Sequence, residues 1–452
     1  MAVIAPFRGL RYNLEKISCM EEIVTPPYDV IDESGKCGFL AKNPYNVIKL
    51  DLSKCSAAMP LTDDRYTEAK KTFDGWQDEG VLNRDEVPCF YLYQIEYYHP
   101  SGSTLIRKGF VSLVQLAEFS EGIVKPHEKT FRDVTTDRLH LLEACKTNFS
   151  KIFALYPDPT GEVNAALDSA GAQAPLLSVK DQDGNTHTIW GVTDPQTIST
   201  VRNLLNEKAI YIADGHHRYT TALQFREVMK EKLGAVAENS PYNYVMMYLC
   251  GMEDPGLSVL PTHRLVRYPG KISPDEVVDL LKTGFEVKEI KGGSREFLLG
   301  EVFAGMDEEK NGGGVFGFYH PDDRCFLLKI KPEEYAKTLE PDHQPALAEL
   351  DVVMLADYLL GSLLDLGHEE CESESLIEYY SDPDAALDEA VKESLASDTH
   401  TPLLFFTNAT LVEQVKTIAD QDLVMPHKST YFYPKILTGL IMNKMVADET
   451  IE

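Results

Sequence analysis

Short apolar runs alternate with amphipathic segments along most of this chain. Apolar side chains recur at helical spacing in the segments 63–78 and 218–233, and this spacing predicts two helices. Two runs rich in β-branched and aromatic residues, 90–98 and 106–116, are separated by the turn sequence His-Pro-Ser-Gly, which predicts a hairpin. Strands and helices that alternate in this way predict a mixed α/β fold.

The same patterns predict further elements along the chain. Further strands are predicted at 152–156, 209–213, 244–249, 257–260, 316–319, 325–330 and 403–406. Further helices are predicted at 137–146, 273–281, 347–360, 383–395 and 411–419. The interval 157–196 is rich in Gly, Ala, Asp and Pro, and we expect a variable excursion there with a small hairpin at Asp183-Gly184.

Length and composition indicate a globular protein of more than one domain. The 452 residues exceed one ordinary domain, and the hydrophobic fraction of 43% is typical of folded chains. With 43 Lys and Arg against 72 Asp and Glu, the formal charge is −29. Such a field repels a polyphosphate backbone, so no nucleic-acid partner is expected. A small anionic substrate is compatible with this charge, because a few inward-facing hydrogen-bond donors can make the electrostatic potential of one cleft positive.

Neither membrane insertion nor a disulfide framework is expected. No apolar run reaches the roughly 18 residues that a bilayer span requires, and the first residues lack the order of a secretory signal. The prediction is therefore a cytoplasmic protein without a membrane partner. The eight cysteines are scattered, with no Cys-x-x-Cys pair, and we interpret them as reduced thiols. A homo-oligomer is compatible with the chain.

The strongest chemical signal is the sequence Asp214-Gly215-His216-His217-Arg218, which follows a predicted strand and begins a predicted helix. A tight glycine turn at a helix start directs backbone N–H groups and the positive helix end at one point, which suits a phosphate. Arg218 adds a planar set of donors, and His216 and His217 supply further donors or an acid. In the alternatives, Asp214 merely caps the helix, or the two histidines bind a metal, for which no third ligand is evident.

Two other segments carry candidate chemistry. In Val124–Thr130, proline keeps the chain extended and Glu128 stands beside an imidazole and a cation; the alternative is a solvated loop. In Val424–Lys435, the side chains of Lys428, Ser429 and Thr430 together suit a phosphate or a carboxylate. The alternative for this third segment is a polar loop anchored by aromatic residues.

Together the three segments resemble known proteins. They occur in the same order as corresponding stretches in the free serine kinases of the ParB/sulfiredoxin superfamily. The chain as a whole is similar to the family called domain of unknown function 1015, DUF1015. The signatures that carry this second resemblance are Pro-Pro-Tyr-Asp, Pro-His-Glu, Asp-Gly-His-His-Arg-Tyr, Leu-Pro-Thr-His-Arg and Lys-Ser-Thr-Tyr-Phe-Tyr-Pro-Lys.

The resemblance implies roles for individual residues. Glu128 would be the general base on a serine hydroxyl. A phosphate cradle would be formed by Asp214, Gly215, His216, His217 and Arg218, with the two histidines also counted as catalytic. Substrate contacts would come from His127, Lys428, Ser429 and Thr430. Arg138, His263 and Arg264 are secondary candidates for the same cleft, with structural ion pairs as the alternative.

The resemblance also implies an activity and an architecture. The activity would be phosphoryl transfer between ATP or ADP and free serine, in either direction, with Mg²⁺ bridging phosphate oxygens. The architecture would be a ParB/sulfiredoxin-like nucleotide-binding core at 121–250, with the excursion 157–196 inserted in it. An N-terminal α/β region at 1–120 and a C-terminal one at 251–452 would flank the core.

Two alternative functions stay open. One is a ParB-like nucleotide-binding switch or NTPase without a small-molecule acceptor. The other is a sulfiredoxin-like repair enzyme, which would require a reactive cysteine where this chain has His216.

Overall fold

A computed structural model describes residues 2–52, 64–309, 313–340, 343–367 and 376–452. The chain divides into two compact units, each of which collects segments that are distant in sequence. The first consists of Met1–Pro126, Thr130–Ser258 and Pro434–Glu452, and the second of His127–Lys129 and Val259–Tyr433. The regions predicted from the sequence follow chain order, and they stay a prediction.

Strands and helices alternate along most of the chain. The strands are β1 (Ile4–Ala5), β2 (Leu10–Tyr12), β3 (Leu82–Arg84), β4 (Phe90–His99), β5 (Ser103–Gln115), β6 (Val124–Lys125), β7 (Thr147–Asn148), β8 (Ile152–Tyr156), β9 (Leu177–Lys180), β10 (Thr186–Val192), β11 (Ile210–Asp214), β12 (Tyr244–Gly251), β13 (Ser258–Leu260), β14 (His263–Pro269), β15 (Phe285–Ile290), β16 (Val315–His320), β17 (Arg324–Ile330), β18 (Ile377–Tyr380), β19 (His400–Phe406), β20 (Tyr431–Tyr433) and β21 (Asn443–Lys444). The α-helices are α1 (Glu33–Lys42), α2 (Ile48–Asp51), α3 (Asp64–Asp78), α4 (Arg132–Cys145), α5 (Glu162–Gly171), α6 (Pro195–Asn206), α7 (His216–Leu233), α8 (Pro274–Leu281), α9 (Arg295–Glu309), α10 (Pro332–Ala336), α11 (Pro345–Ala348), α12 (Asp351–Val353), α13 (Pro383–Ala396) and α14 (Val412–Asp420).

A nine-stranded mixed sheet forms the centre of the first unit. Its strand order is β6-β11-β8-β12-β5-β4-β10-β9, and β1 pairs with β5. Two neighbouring pairs are parallel, β6 with β11 and β8 with β12. All five residues of β8 are buried, so both faces of this strand are covered and its sequence is a continuous apolar run.

Alternate residues of the central strands form the main core of the first unit. Ile152 and Ala154 on β8, with Ile210 and Ile212 on β11, belong to one buried cluster. Helices α5, α6 and α7 add apolar side chains to that cluster: Val163, Leu167, Val201, Leu205, Tyr219, Ala222 and Leu223. Apolar side chains at every second residue of the strands therefore pack against apolar side chains at helical spacing on α7 in a common core.

The second unit contains a six-stranded antiparallel sheet. Its order is β15-β17-β16-β19-β14-β18. Successive residues of β19 serve opposite faces: Leu403 and Phe405 belong to one core cluster, and Leu404 and Phe406 to another. Helix α8 covers the first face and α9 the second, which explains why the last four residues of β19, Leu403–Phe406, are all apolar.

Most predicted elements are confirmed. Helix α3 buries Tyr66, Ala69, Phe73 and Trp76 along one face, as its spacing predicted. The predicted hairpin is the antiparallel pair β4–β5. The mixed α/β class that the alternation predicted is also confirmed.

Three predictions differ from the structure. Helix α4 begins at Arg132, five residues before the predicted start at 137, because its first five residues are mostly polar and Val134 alone gives no apolar period. The interval 157–196 contains α5 and the strands β9 and β10, and β10 pairs with β4 along seven residues. This interval therefore extends the large sheet. The predicted helix 347–360 is instead α11, α12 and a π-helical segment, Met354–Leu363.

Candidate functional site

The loop after β11 has the geometry that its sequence predicted. Gly215 adopts φ 98°, in the left-handed region, and is the N-cap residue of α7. Gly215, and not Asp214, therefore occupies the N-cap position. A Cβ atom on Gly215 would lie 2.9 Å from Nε of Arg218, so both the backbone conformation and the close packing of this guanidinium require glycine.

Arg218 is held over the turn by polar contacts within the first unit. Its Nη2 donates to Oδ2 of Asp214 at 3.1 Å, and its Nη1 donates to the carbonyl oxygen of Lys151. Burial by itself lowers the pKa of Arg218, but Asp214, Asp29 and other nearby groups raise it above the ordinary value. The guanidinium is therefore a permanently charged donor at the start of α7.

The two loop histidines have different surroundings. His216 is only 3% exposed. His217 accepts a hydrogen bond from the backbone N–H of Phe131 at its Nε2, over 2.9 Å, and its ring stacks on that of Phe131 at a centroid distance of 5.8 Å. Because Nε2 accepts, it carries no proton in this arrangement, and His217 orders the segment that enters α4.

Arg138 lines the same small cavity as Arg218. The cavity has a volume of about 50 Å³ and is also lined by Tyr28 and Asp51. Arg138 donates to Oδ1 of Asp51 at 2.6 Å and to Oδ2 of Asp137 at 2.7 Å. Burial lowers the pKa of Arg138, yet these carboxylates raise it above its ordinary value. Arg138 therefore sits in an ion-pair network that borders the cavity, and a substrate contact by Arg138 stays a prediction.

Four polar residues near the loop were missed when roles were assigned from the sequence. Tyr28 and Asp51 line the small cavity, and the ring of Tyr28 lies 4.3 Å from the Arg138 guanidinium. Nζ of Lys435 lies 3.6 Å from Oδ1 of Asp214. Lys151 is 2% exposed and donates to the carbonyl oxygen of Leu437. Tyr28 and Lys435 each belong to one of the five signature sequences, so the sequence could have indicated them as site residues. No sequence pattern indicates Asp51 or Lys151.

In the second unit the structure brings together two of the predicted segments. The backbone N–H of Met425 donates to the carbonyl oxygen of His127 at 2.8 Å, and Glu128 forms a parallel bridge with Met425. Nε2 of His127 lies 3.1 Å from Oγ1 of Thr430. Glu128 is half-buried. The predicted base and the predicted Lys-Ser-Thr segment therefore share one local structure.

Lys428 has an unusual backbone conformation that other predicted residues support. Its φ is 56°, in the left-handed region, which costs a non-glycine residue about 1–2 kcal/mol. Its carbonyl oxygen accepts from Oγ1 of Thr262 at 2.8 Å and from Nη2 of Arg264 at 3.4 Å. Ser429 is buried, and its hydroxyl donates to the carbonyl oxygen of Pro426. Arg264 and Ser429 thus fix the turn, while the Lys428 side chain is half-buried.

His263 has a different environment from its neighbour Arg264. It is 1% exposed, and its ring contacts those of Phe303 and Phe406 at centroid distances of 6.0 and 5.2 Å. Burial and the charge of Arg264 lower the pKa of His263 to about 3, so the imidazole is neutral. Its Nδ1 accepts from the backbone N–H of Thr407. This environment favours a structural role, and a substrate contact by His263 stays a prediction.

The model of one protein family matches residues 4–353 of this chain; the family is described as "Protein of unknown function (DUF1015)". The chain belongs to this family. The predicted family membership is thereby confirmed, and the matched residues include the motifs around Glu128 and Asp214. The segment 424–435 lies beyond them. No match was found among curated proteins.

Several solved structures are loosely similar to this DUF1015 protein. One is a mutant of free serine kinase in complex with AMP, at 15% identity and a TM-score of 0.34, covering 71% of this chain and 87% of that one. Another is a conserved hypothetical protein from Pyrococcus furiosus, at 15% identity and a TM-score of 0.34, covering 72% and 92%. A third is SbnI with a C-terminal truncation from Staphylococcus aureus, at 10% identity and a TM-score of 0.33, covering 73% and 85%.

The described parts of the chain contain neither a preformed metal cluster nor a membrane-spanning helix. Among the residues that the structure describes, no group of three or more His, Cys, Asp or Glu side chains is arranged to hold a metal ion. Within the same ranges, no helix combines the length and the apolar character that crossing a bilayer requires.

Proposed function

We propose that this DUF1015 protein is a nucleotide-dependent phosphotransferase whose acceptor is the hydroxyl group of a free amino acid, serine first. The reverse transfer, from phosphoserine to a nucleotide, would use the same groups. One observation carries the proposal: the left-handed turn at Gly215 begins α7 beside the charged guanidinium of Arg218. ATP or ADP is the proposed phosphoryl donor.

The loop suits a phosphate on electrostatic grounds. The first N–H groups of a helix and its dipole present partial positive charge at the N-terminus. Arg218 supplies a full charge at the same place, and phosphoryl transfer depends mainly on such fixed donors around the phosphate oxygens. Asp214, Gly215, His216 and His217 complete the proposed cradle.

Glu128 and the Lys-Ser-Thr segment are proposed to act on the acceptor. Glu128 would accept the proton of the acceptor hydroxyl, a role typically worth about 10²–10⁴-fold in rate. His127, Lys428, Ser429 and Thr430 would surround the amino acid, and the contacts of Arg264 with the turn support that arrangement.

Chain connectivity supports a shared role for Glu128 and the loop. Strands β6 and β11 are parallel neighbours, with Lys125 opposite Tyr211. Glu128 follows Lys125 by three residues, and Asp214 follows Tyr211 by three residues. This parallel arrangement is a reason to propose that both segments act in one reaction.

Mg²⁺ is proposed to reach the site with the nucleotide. The carboxylate of Asp214 is engaged by Arg218 and Lys435, so the loop offers hydrogen-bond donors to phosphates and no ready set of oxygen ligands for the ion. When bound between phosphate oxygens, Mg²⁺ would neutralise negative charge there. Donor groups of the chain then only need to hold the remaining oxygens in place.

The test is an assay of amino-acid phosphorylation. The purified protein is incubated with ATP or ADP, Mg²⁺ and single amino acids, and phosphoserine is followed by mass spectrometry. Glu128→Gln should lower transfer by about 10²-fold or more and leave nucleotide affinity unchanged. Glu143→Gln is the matched control, because Glu143 pairs with Lys232 on the surface. Nucleotide turnover that is indifferent to every amino acid would favour the switch instead, and absence of nucleotide binding would refute both functions.

A further inference from the structure

We propose that Lys435 is a second phosphate-binding cation of the Asp214 loop, and that it binds the phosphates of ADP and ATP. This assignment deepens the proposed function and rests on it. It concerns the first unit alone, to which Lys435, Asp214 and Arg218 all belong.

Lys435 and Arg218 share one carboxylate. Arg218 contacts Oδ2 of Asp214 at 3.1 Å, and Nζ of Lys435 lies 3.6 Å from Oδ1 of the same group. The second distance exceeds that of a good hydrogen bond, so this ion pair is loose. The side chains of Lys435 and Asp214 are 14% and 17% exposed. Two cations therefore meet at one carboxylate at the start of α7, where the positive helix end also favours an anion.

The backbone on both sides of Lys435 is held by buried polar side chains. Nη2 of Arg107 donates to the carbonyl oxygen of Pro434 at 2.7 Å. Nζ of Lys151 donates to the carbonyl oxygen of Leu437 at 3.1 Å, and the backbone N–H of Leu437 donates to the hydroxyl of Tyr93 at 3.4 Å. These contacts fix the place from which the Lys435 side chain extends.

Burying these polar side chains has an energetic cost. Arg107 and Lys151 are 0% and 2% exposed, and removing a charged or polar group from water costs several kcal/mol unless its contacts compensate. Apolar side chains would pack this region at lower cost, but they would leave the two carbonyl groups without donors. The arrangement is therefore better explained by the need for a fixed backbone at Lys435 than by stability.

Lys151 connects the two cations of the loop. Its Nζ donates to the segment that carries Lys435, and its own carbonyl oxygen accepts from Nη1 of Arg218. The relative position of Arg218 and Lys435 is thus set through one residue at the start of β8. Two cations held in this way suit neighbouring phosphate groups. In the structure, the Asp214 carboxylate is an anion that Lys435 contacts.

The test measures affinity against the number of phosphates. Dissociation constants for ATP, ADP and adenosine are determined by calorimetry for the wild-type protein and for Lys435→Ala, Lys435→Arg and Lys70→Ala. A charge-assisted contact to phosphate predicts that Lys435→Ala weakens ADP and ATP binding about tenfold to a hundredfold and leaves adenosine binding unchanged. Lys435→Arg should restore most of the loss.

Lys70→Ala is the matched control, because it removes an exposed Lys–Asp pair and the same unit of charge within the first unit. Equal weakening for all three ligands in Lys435→Ala would indicate a structural role and overturn the assignment. Unchanged binding of ADP and ATP in Lys435→Ala would overturn it as well, while leaving the proposed function intact. A wild-type protein that binds neither nucleotide would refute the proposed function together with this inference.

Discussion

Gly215 is the single residue whose backbone conformation determines the candidate phosphate loop. Its φ of 98° and the 2.9 Å approach of Arg218 to a hypothetical Cβ are separate constraints. We predict that Gly215→Ala lowers the free energy of unfolding by about 1–2 kcal/mol, because a left-handed conformation is unfavourable for alanine. It should also weaken nucleotide binding, since Arg218 must move. Urea denaturation and calorimetry measure the two effects.

Helix α7 provides its own control for this prediction at its other end. Gly234 has φ 79°, and a Cβ atom there would meet nothing within 4 Å. Gly234→Ala should therefore cost a similar free energy of unfolding and leave nucleotide affinity unchanged. If both variants bind nucleotide as tightly as the wild-type protein, the contact between Gly215 and Arg218 has no role in binding.

At the scale of elements, the hydrogen bond from Lys151, which directly precedes β8, to the carbonyl oxygen of Leu437 should make the free energy of unfolding depend on pH. Burial, and to a smaller extent the charge of Arg218, lower the pKa of Lys151 from its ordinary 10.5 to about 7. Between these values the unfolded chain binds a proton that the folded chain does not. The free energy of unfolding should therefore rise with pH across this window, by roughly 1.4 kcal/mol per pH unit from this group, and this gain is lost as pH falls to about 7.

The measurement compares wild-type protein with Lys151→Met by urea denaturation at about pH 7 and about pH 9. The wild-type protein should gain more stability than the variant over this interval, because the methionine side chain does not titrate. Equal gains in the two proteins would show that Lys151 keeps an ordinary pKa in the folded state.

At the scale of the whole molecule, burial should divide the cysteines into two classes. Cys89, Cys145, Cys250 and Cys325 are buried free thiols, whereas Cys19 is half-buried and Cys37 is exposed. Burial raises the pKa of Cys89 and Cys325 to about 11 and that of Cys145 to about 12. Cys55 and Cys371 lie outside the described residues.

We predict that iodoacetamide at about pH 8 labels Cys37 in the native protein and leaves the four buried thiols unmodified, since only the thiolate reacts. Peptide mapping after a short pulse measures this, and labelling in concentrated urea should include all four. Rapid native labelling of Cys145 or Cys250 would contradict the packing of the strands and helices that cover them.

Elements with a strong local period could be predicted from the sequence, and elements defined by distant pairing could not. The helices α3 and α7 and the hairpin β4–β5 follow from spacing within a few residues. The strands β9 and β10 looked like an excursion, because their place in the large sheet depends on pairing with β4, far away in the chain. A mostly polar first turn, as in α4, gives little apolar signal, so the start of the helix is predicted too late in the chain.

The sequence by itself determined the type of the strongly periodic segments, the glycine turn of the Asp214 loop and the family, since these depend on local backbone preference and on motif order. Tertiary structure decided which groups share an environment. His263 and Arg264 are neighbours in sequence, yet one is a neutral core imidazole and the other supports the Lys428 turn. Lys151 and Lys435 gained their positions only through folding, because burial and ion pairing depend on segments that meet in space and not along the chain.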